Sequence, residues 1–282
     1  MSQYTSNSTQ AATNQNGYRA SSNESQTISI LVINPNSTES MTAALKPLLA
    51  DLLHPRLSLD FYTAPASAPP SVNDAETSSL SAATTFPTLL PFLTTQNHDQ
   101  HAQDPERHGY SAYLVACYSP HPLTTLIRTH STAPVLNIFE ASILHARALG
   151  RPFGIVTTGK YWETVLTDGV RQYLTGTDTP ADDDVEKGGA GIGGFIGVRS
   201  TGLNATELHS TEKGEVDRRI AQASAELVRE GADIIILGCA GMSGMEEEIR
   251  RGADAEGRNI NIVDGVRAGV ILLEGLVRAH RL

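Results

Sequence analysis

Short apolar runs rich in β-branched residues alternate with amphipathic helical stretches along the chain, and that alternation leaves few architectures open. Residues 28–33 (ISILVI) are the first run, apolar on both faces as in a strand covered from both sides. The run breaks at the turn Asn34-Pro35-Asn36-Ser37, and a helix is expected over 38–49 with Ser37 or Thr38 as its cap. Further strands are expected at 57–62, 112–116, 134–138, 153–157, 195–198, 233–237 and 260–263. Helices are expected at 75–93 (broken near Pro87 and Pro91), from about 123, and at 140–149, 161–174, 211–230, 245–250 and 266–278. Strand, helix, strand in succession means an α/β fold, a parallel sheet covered on both sides.

The two halves match at a nearly constant offset. Ile33 and Val156 lie 123 residues apart, Cys117 and Cys239 lie 122 apart, and Glu140 and Asp264 lie 124 apart. Any chain of alternating strands and helices repeats at some spacing. Agreement within two residues, including both cysteines of the chain, favours a duplication. The expected fold is therefore two lobes related by a pseudo-twofold axis, each a parallel four-stranded sheet flanked by helices, with a cleft between them. The boundaries are a disordered polar tail over 1–26, a first lobe over 27–150 and a second over 151–282, with the last helix placed to pack back on the first lobe. Polar stretches at 94–109 and 176–194 read as insertions.

Composition narrows the partners. The net charge is −10, which argues against nucleic acid, because phosphate recognition needs a basic face. Two cysteines in 282 residues make no disulfide framework and suit a reducing compartment. No apolar run is long enough to span a bilayer and the N-terminus carries no apolar signal region, so a cytoplasmic location is expected, with the sequons at Asn7, Asn36 and Asn204 unused.

Each cysteine ends a strand, where open α/β sheets bind ligands. Two like acids on opposite walls of a cleft can invert a carbon centre, one removing a proton from one face while the other returns one to the opposite face. A thiol suits the task, since its reference pKa near ~8.5 leaves both forms accessible around neutrality. Each cysteine also precedes a turn and a helix (Tyr118-Ser119-Pro120, Ala240-Gly241), and a helix end lowers a thiol pKa by roughly a unit or less. That is too little to abstract an unactivated α-proton. The rest must come from fixed donors that stabilise the developing enolate or from a substrate already acidified by neighbouring carbonyls, and a cyclic ureide such as a hydantoin fits that limit. Candidate donors for the developing enolate are Asn34, Asn36, Ser37, Thr157, Thr158, Gly159, Ser119 and the backbone around Ala240 and Gly241. Helix capping accounts equally well for the Asn34 to Ser37 turn, and for either cysteine taken alone a small buried apolar role is the commoner case; their paired placement sets them apart.

The motifs Val32-Ile33-Asn34-Pro35-Asn36-Ser37-Thr38 with Met41-Thr42, Val115-Ala116-Cys117, Val156-Thr157-Thr158, Leu237-Gly238-Cys239-Ala240-Gly241-Met242 and Val263-Asp264-Gly265 spread over residues 28–275. In these the chain resembles the aspartate/glutamate/hydantoin racemase superfamily, most closely its hydantoin and allantoin racemase branch. The resemblance implies a two-cysteine mechanism without cofactor or metal, acting on a small molecule, in a homo-oligomer. One departure stands beside the first cysteine: that branch usually has a glycine and an acidic residue there, and this chain has Tyr118-Ser119-Pro120-His121, where His121 either touches substrate or sits in a surface loop. An Asp/Glu-type amino-acid racemase, a malonate decarboxylase, a maleate isomerase and a non-catalytic binding protein are the rivals on the same fold. A decarboxylase would need one thiol only. Gly189, Gly191 and Gly194 mimic a dinucleotide fingerprint but precede a strand rather than follow one. His98, His101 and His108 lack the spacing of a metal site, and Asp182 to Asp184 read as a solvated loop.

Overall fold

The computed structural model describes residues 27–93, 109–176 and 191–280. The polar tail, most of both insertions, His98, His101, His108, Asp182 to Asp184 and Gly189 lie outside the described residues. Among those described, eight strands form two separate four-stranded parallel sheets. The first sheet has β1 (Ile28–Asn34), β2 (Leu57–Thr63), β3 (Ala112–Val115) and β4 (Val135–Asn137) in the order β2-β1-β3-β4. The second has β5 (Phe153–Thr157), β6 (Phe195–Ser200), β7 (Ile234–Leu237) and β8 (Asn261–Asp264) in the order β6-β5-β7-β8. The orders are the same once four is added to each strand number.

Register makes the equivalence residue by residue. Ile33 pairs with Val115 in the first sheet, and Val156 pairs with Leu237 in the second. Asn34 and Thr157 thus follow equivalent positions, and Cys117 and Cys239 each stand two residues past the last paired residue of β3 and β7. The third landmark is corrected. Asn137 is the N-cap of α4 (Ile138–Leu149), and Asp264 occupies the same place before α9 (Gly265–His280), where its Oδ1 accepts the N–H groups of Val266 and Arg267. Glu140 sits one turn inside α4, reaching back to the Asn137 N–H in a capping box and holding Arg128 through two hydrogen bonds. The matching acids are therefore not structural equivalents; the caps are.

The remaining helices are α1 (Glu39–Leu49), α2 (Ala75–Leu93), α3 (Pro122–Arg128), α5 (Tyr161–Thr175), α6 (Glu207–Ser210), α7 (Lys213–Arg229) and α8 (Glu246–Ala255). The break expected in α2 is absent. Pro87 and Pro91 lie four apart on its exposed face, so the carbonyls they leave unbonded meet water, while the buried stripe Ser78, Ser81, Ala82, Thr85, Leu89, Leu93 holds the helix on the sheet.

Helices α4 and α9 fasten the lobes together. They pack on each other, and α9 also lies against β1, β3 and β4 of the first sheet, while α4 touches β7 and β8 of the second. Their first residues abut: a Cβ on Gly265 would stand 2.6 Å from the Ile138 carbonyl oxygen. Farther along, a Cβ on Gly269 would meet Leu114 at 2.5 Å, so α9 lies close on β3. One buried apolar cluster accordingly runs through both lobes, from Ile30 and Leu114 to Ile236 and Val266. No helix among the described residues is long and apolar enough to cross a membrane.

Candidate active site

In a sheet of order 2-1-3-4 the connections leave β1 and β3 in opposite directions, and the crevice beyond their carboxyl ends is where such folds bind ligands. Both lobes turn that crevice towards one shared cavity of about 90 Å³. Cys117 and Cys239 both line it, with Asn34 and Asn36 at the end of β1 and Thr157 and Thr158 at the end of β5. The turns that carry the cysteines are each covered by a helix of the opposite lobe. A Cβ on Gly244 would meet Leu48 of α1 at 3.5 Å, and one on Gly169 of α5 would meet Pro120 at 2.9 Å.

The two thiols are held differently. Cys239 is the N-cap of a single 3₁₀ turn (Ala240–Met242), and its Sγ accepts the Gly241 N–H at 3.4 Å. The turn exists because Gly238 lets the chain pass close to β5: a Cβ there would stand 2.6 Å from the Val156 carbonyl oxygen. Cys117 lies farther from its helix, whose N-cap is His121, and its Sγ shares a 3.5 Å contact with the Ser119 hydroxyl instead. Both residues are half-buried, with the protein dense around each sulfur. Burial pushes the Cys117 thiol up to about 12, against a small lowering by Ser119 and a further rise from Cys239. It pushes Cys239 up to about 11, against lowering by the Gly241 and Met242 N–H groups. For both thiols, loss of hydration outweighs what a turn of backbone dipoles returns.

The other expected site residues divide into groups that face the cleft and groups that build it. Asn34 lines the cleft, yet its amide is spent inside the turn, donating to Asn36 Oδ1 and Thr42 Oγ1 at 3.0 Å. The Asn36 side chain accepts from Asn34 and from the Thr38 N–H through its Oδ1, while its NH2 group donates to the Met41 thioether at 3.5 Å, a weak acceptor, and so stays open to a ligand. Thr157 donates its hydroxyl to the Gly238 carbonyl at 3.0 Å and so fixes the second cysteine turn. Thr158 is buried at the cleft wall, and among the described residues no hydrogen bond engages its hydroxyl. Ala240 and Gly241 line the cleft, with the Gly241 N–H given to sulfur. Gly159 lies outside the cleft lining, and a Cβ on it would meet Asn204 Oδ1 at 3.5 Å.

Ser37 does not line the cleft. Its N–H bonds the Pro69 carbonyl, and Thr38, at the N-cap of α1, uses its hydroxyl on the Pro70 carbonyl instead of capping. Ser119 is buried behind Cys117 and reaches the site only through that sulfur. His121 is neither a surface residue nor a cleft residue. It is 1% exposed, its Nδ1 accepts the Leu123 N–H, and its Nε2 has no partner among the described residues.

Several lining residues were not anticipated. Met41, Ala44, Leu45 and Leu48 form one face of α1 and give the cleft an apolar wall, joined by Val72 and Trp162. Their helical spacing reads equally well as core. His209 stands on the short α6, a single turn without periodicity, and its Nε2 lies 3.4 Å from where a Cβ on Gly241 would be. No Lys, Arg, Asp or Glu lines the cleft among the described residues. Nor is any group of three His, Cys, Asp or Glu among them arranged to hold a metal ion.

Known proteins share this fold. The solved structure of an allantoin racemase from Pseudomonas fluorescens superposes with a TM-score of 0.69 at 26% identity, over 90% of this chain and 92% of that one. A hydantoin racemase from Rhizobium meliloti is 27% identical over 252 residues, 89% of each chain. An uncharacterized protein from Schizosaccharomyces pombe is 39% identical over 254 residues, 90% of this chain and 93% of its own length. The sequence matches the Asp/Glu/Hydantoin racemase family over residues 30–273, and with both lobes of the fold inside that span, the chain belongs to that family.

Proposed function

We propose that the protein racemises a neutral cyclic ureide, a 5-substituted hydantoin or an allantoin-like ring, without a cofactor, by proton transfer between Cys239 and Cys117. The observation that carries this reading is a cleft bounded by both thiols, with His209 at its wall and no Lys, Arg, Asp or Glu among the described residues lining it. A free amino acid would bring an ammonium and a carboxylate into that cleft, and a diacid would bring two carboxylates. Burying a charge without a partner costs several kcal/mol, on the order of 3–5. A hydantoin ring brings N–H donors and carbonyl acceptors, which hydroxyls, amides and backbone groups can meet. Two relatives carry the names hydantoin racemase and allantoin racemase, which supports the same substrate class.

In the forward direction the Cys239 thiolate takes the α-proton, forming S–H, and the C–H electron pair moves into the ring carbonyl to give an enolate. The Cys117 thiol then delivers its proton to the opposite face, and the pair returns to carbon. The product has inverted configuration and the charge has moved to Cys117. The reverse reaction uses the same groups with roles exchanged. The weakly engaged NH2 group of Asn36 and the hydroxyl of Thr158 line the cleft and can donate hydrogen bonds to the enolate oxygen. Cys239 is the more readily ionised of the two thiols, since two backbone N–H groups lower its pKa and a single hydroxyl serves Cys117.

The test is chiral analysis of single enantiomers of 5-methylhydantoin, allantoin, aspartate and glutamate after incubation with the purified chain. Racemisation of a ureide with both amino acids untouched is expected. Turnover of aspartate or glutamate with every ureide inert would overturn the proposal.

A further inference from the structure

Beside the cleft lies a second hollow of about 200 Å³, bounded by the start of α2, the turn after Cys117 and the first turn of α5. The same three segments border both spaces. Ser71 and Val72 face the cleft, while Asp74 and Ala75 of the same connection face the hollow. Cys117 and Tyr118 face the cleft, while Ser119 and Pro120 face the hollow. One residue lines both: Trp162, buried at 6% exposure in the first turn of α5, its ring edge to face with Tyr161 at 5.1 Å.

We infer that Trp162 is the wall that closes the catalytic cleft against this hollow, and that its bulk sets the largest ring substituent the cleft accepts. The hollow begins directly behind Cys117, whose sulfur touches Ser119. It is walled by proline rings, Val165 and Tyr161, with serine hydroxyls among them, and the carboxylate of Asp74 is already held by the Thr77 N–H and hydroxyl. That lining fits an aryl or aralkyl group. The natural cleft, closed by the indole, fits a compact substituent. The wall itself is a geometric claim; its consequence for substrate choice rests on the ureide reading above.

Two measurements separate these. In a Cys239→Ser background, alkylation of Cys117 by N-phenylmaleimide and by N-methylmaleimide is followed by peptide mass spectrometry, with and without Trp162→Ala. Removal of the indole is expected to raise the phenyl-to-methyl rate ratio about tenfold, with Trp162→Leu giving a smaller rise should the alanine variant not fold. An unchanged ratio in a folded variant overturns the wall. With both cysteines present, Trp162→Ala is then expected to raise the ratio of kcat/KM for 5-benzylhydantoin over 5-methylhydantoin by at least tenfold. A ratio that stays constant while the maleimide ratio rises overturns the specificity role. Wild-type protein inert toward both hydantoins and toward allantoin overturns the ureide reading and leaves the maleimide result to decide the wall.

Discussion

Inequality of the two thiols can be measured before any substrate is known. The Cys239 sulfur accepts backbone N–H groups, and the Cys117 sulfur has the Ser119 hydroxyl at 3.5 Å. With Cys117 at about 12 and Cys239 at about 11, Cys239 holds about ten times the thiolate at any pH below both. Reactivity differs by less, because a more basic thiolate is intrinsically more nucleophilic, with a Brønsted slope of roughly 0.4–0.5. The net advantage of Cys239 towards a small thiol-exchange reagent is about 3.5-fold. Ser119→Ala removes a hydrogen bond to the developing charge, worth about 1.5 kcal/mol at this long distance, or roughly another pKa unit. The ratio of rates should then widen to about tenfold, with the Cys239 rate itself unchanged. The assay is methyl methanethiosulfonate labelling between pH 7 and 9, read as site-resolved rates by peptide mass spectrometry. Comparing variant with wild type at each site cancels differences in access. Equal slowing of both thiols in Ser119→Ala, or Cys117 the faster throughout, would refute the reasoning.

Two further consequences concern stability. Burial pushes His121 down to about 4 from an ordinary 6.5, so the unfolded chain takes up a proton there that the folded one refuses. Its contribution is present above pH 6.5 and is lost as pH falls towards 4, amounting to about 3 kcal/mol; His121→Asn, which keeps a capping acceptor, should flatten that part of the urea-midpoint profile, and a profile as steep as wild type would contradict it. Where the lobes meet, Gly265→Ala puts a methyl 2.6 Å from the Ile138 carbonyl and should cost about 1–3 kcal/mol, whereas Gly275→Ala on the open face of the same helix should gain roughly 0.5–1 kcal/mol; equal effects would mean that the α4–α9 junction is not tightly packed.

The architecture was legible because period and order are written in every strand. β-Branched runs such as residues 28–33 and 234–237 can be satisfied only as buried parallel strands, and the equal spacing of the cysteines survives as equal register in two sheets. What the spacing could not distinguish was a helix cap from an acid one turn later, and so Glu140 was matched with Asp264 in place of Asn137. The site was legible where a residue follows a strand end. It was not legible on α1 or at Trp162, because an apolar helix face looks the same whether it covers a core or a ligand. His209 escaped for another reason: a single turn of helix has no period to detect. For each cysteine, position near a helix end can be read locally, whereas the desolvation that raises its pKa depends on the packing of both lobes.

The central claim is a proton passed between two opposed sulfurs, and exchange in D₂O tests it most directly. With one enantiomer of a 5-substituted hydantoin, wild-type protein should place deuterium at the α-carbon with inversion, and Cys117→Ser and Cys239→Ser should each abolish inversion. Inversion with deuterium uptake persisting at the wild-type rate in either variant would contradict the account.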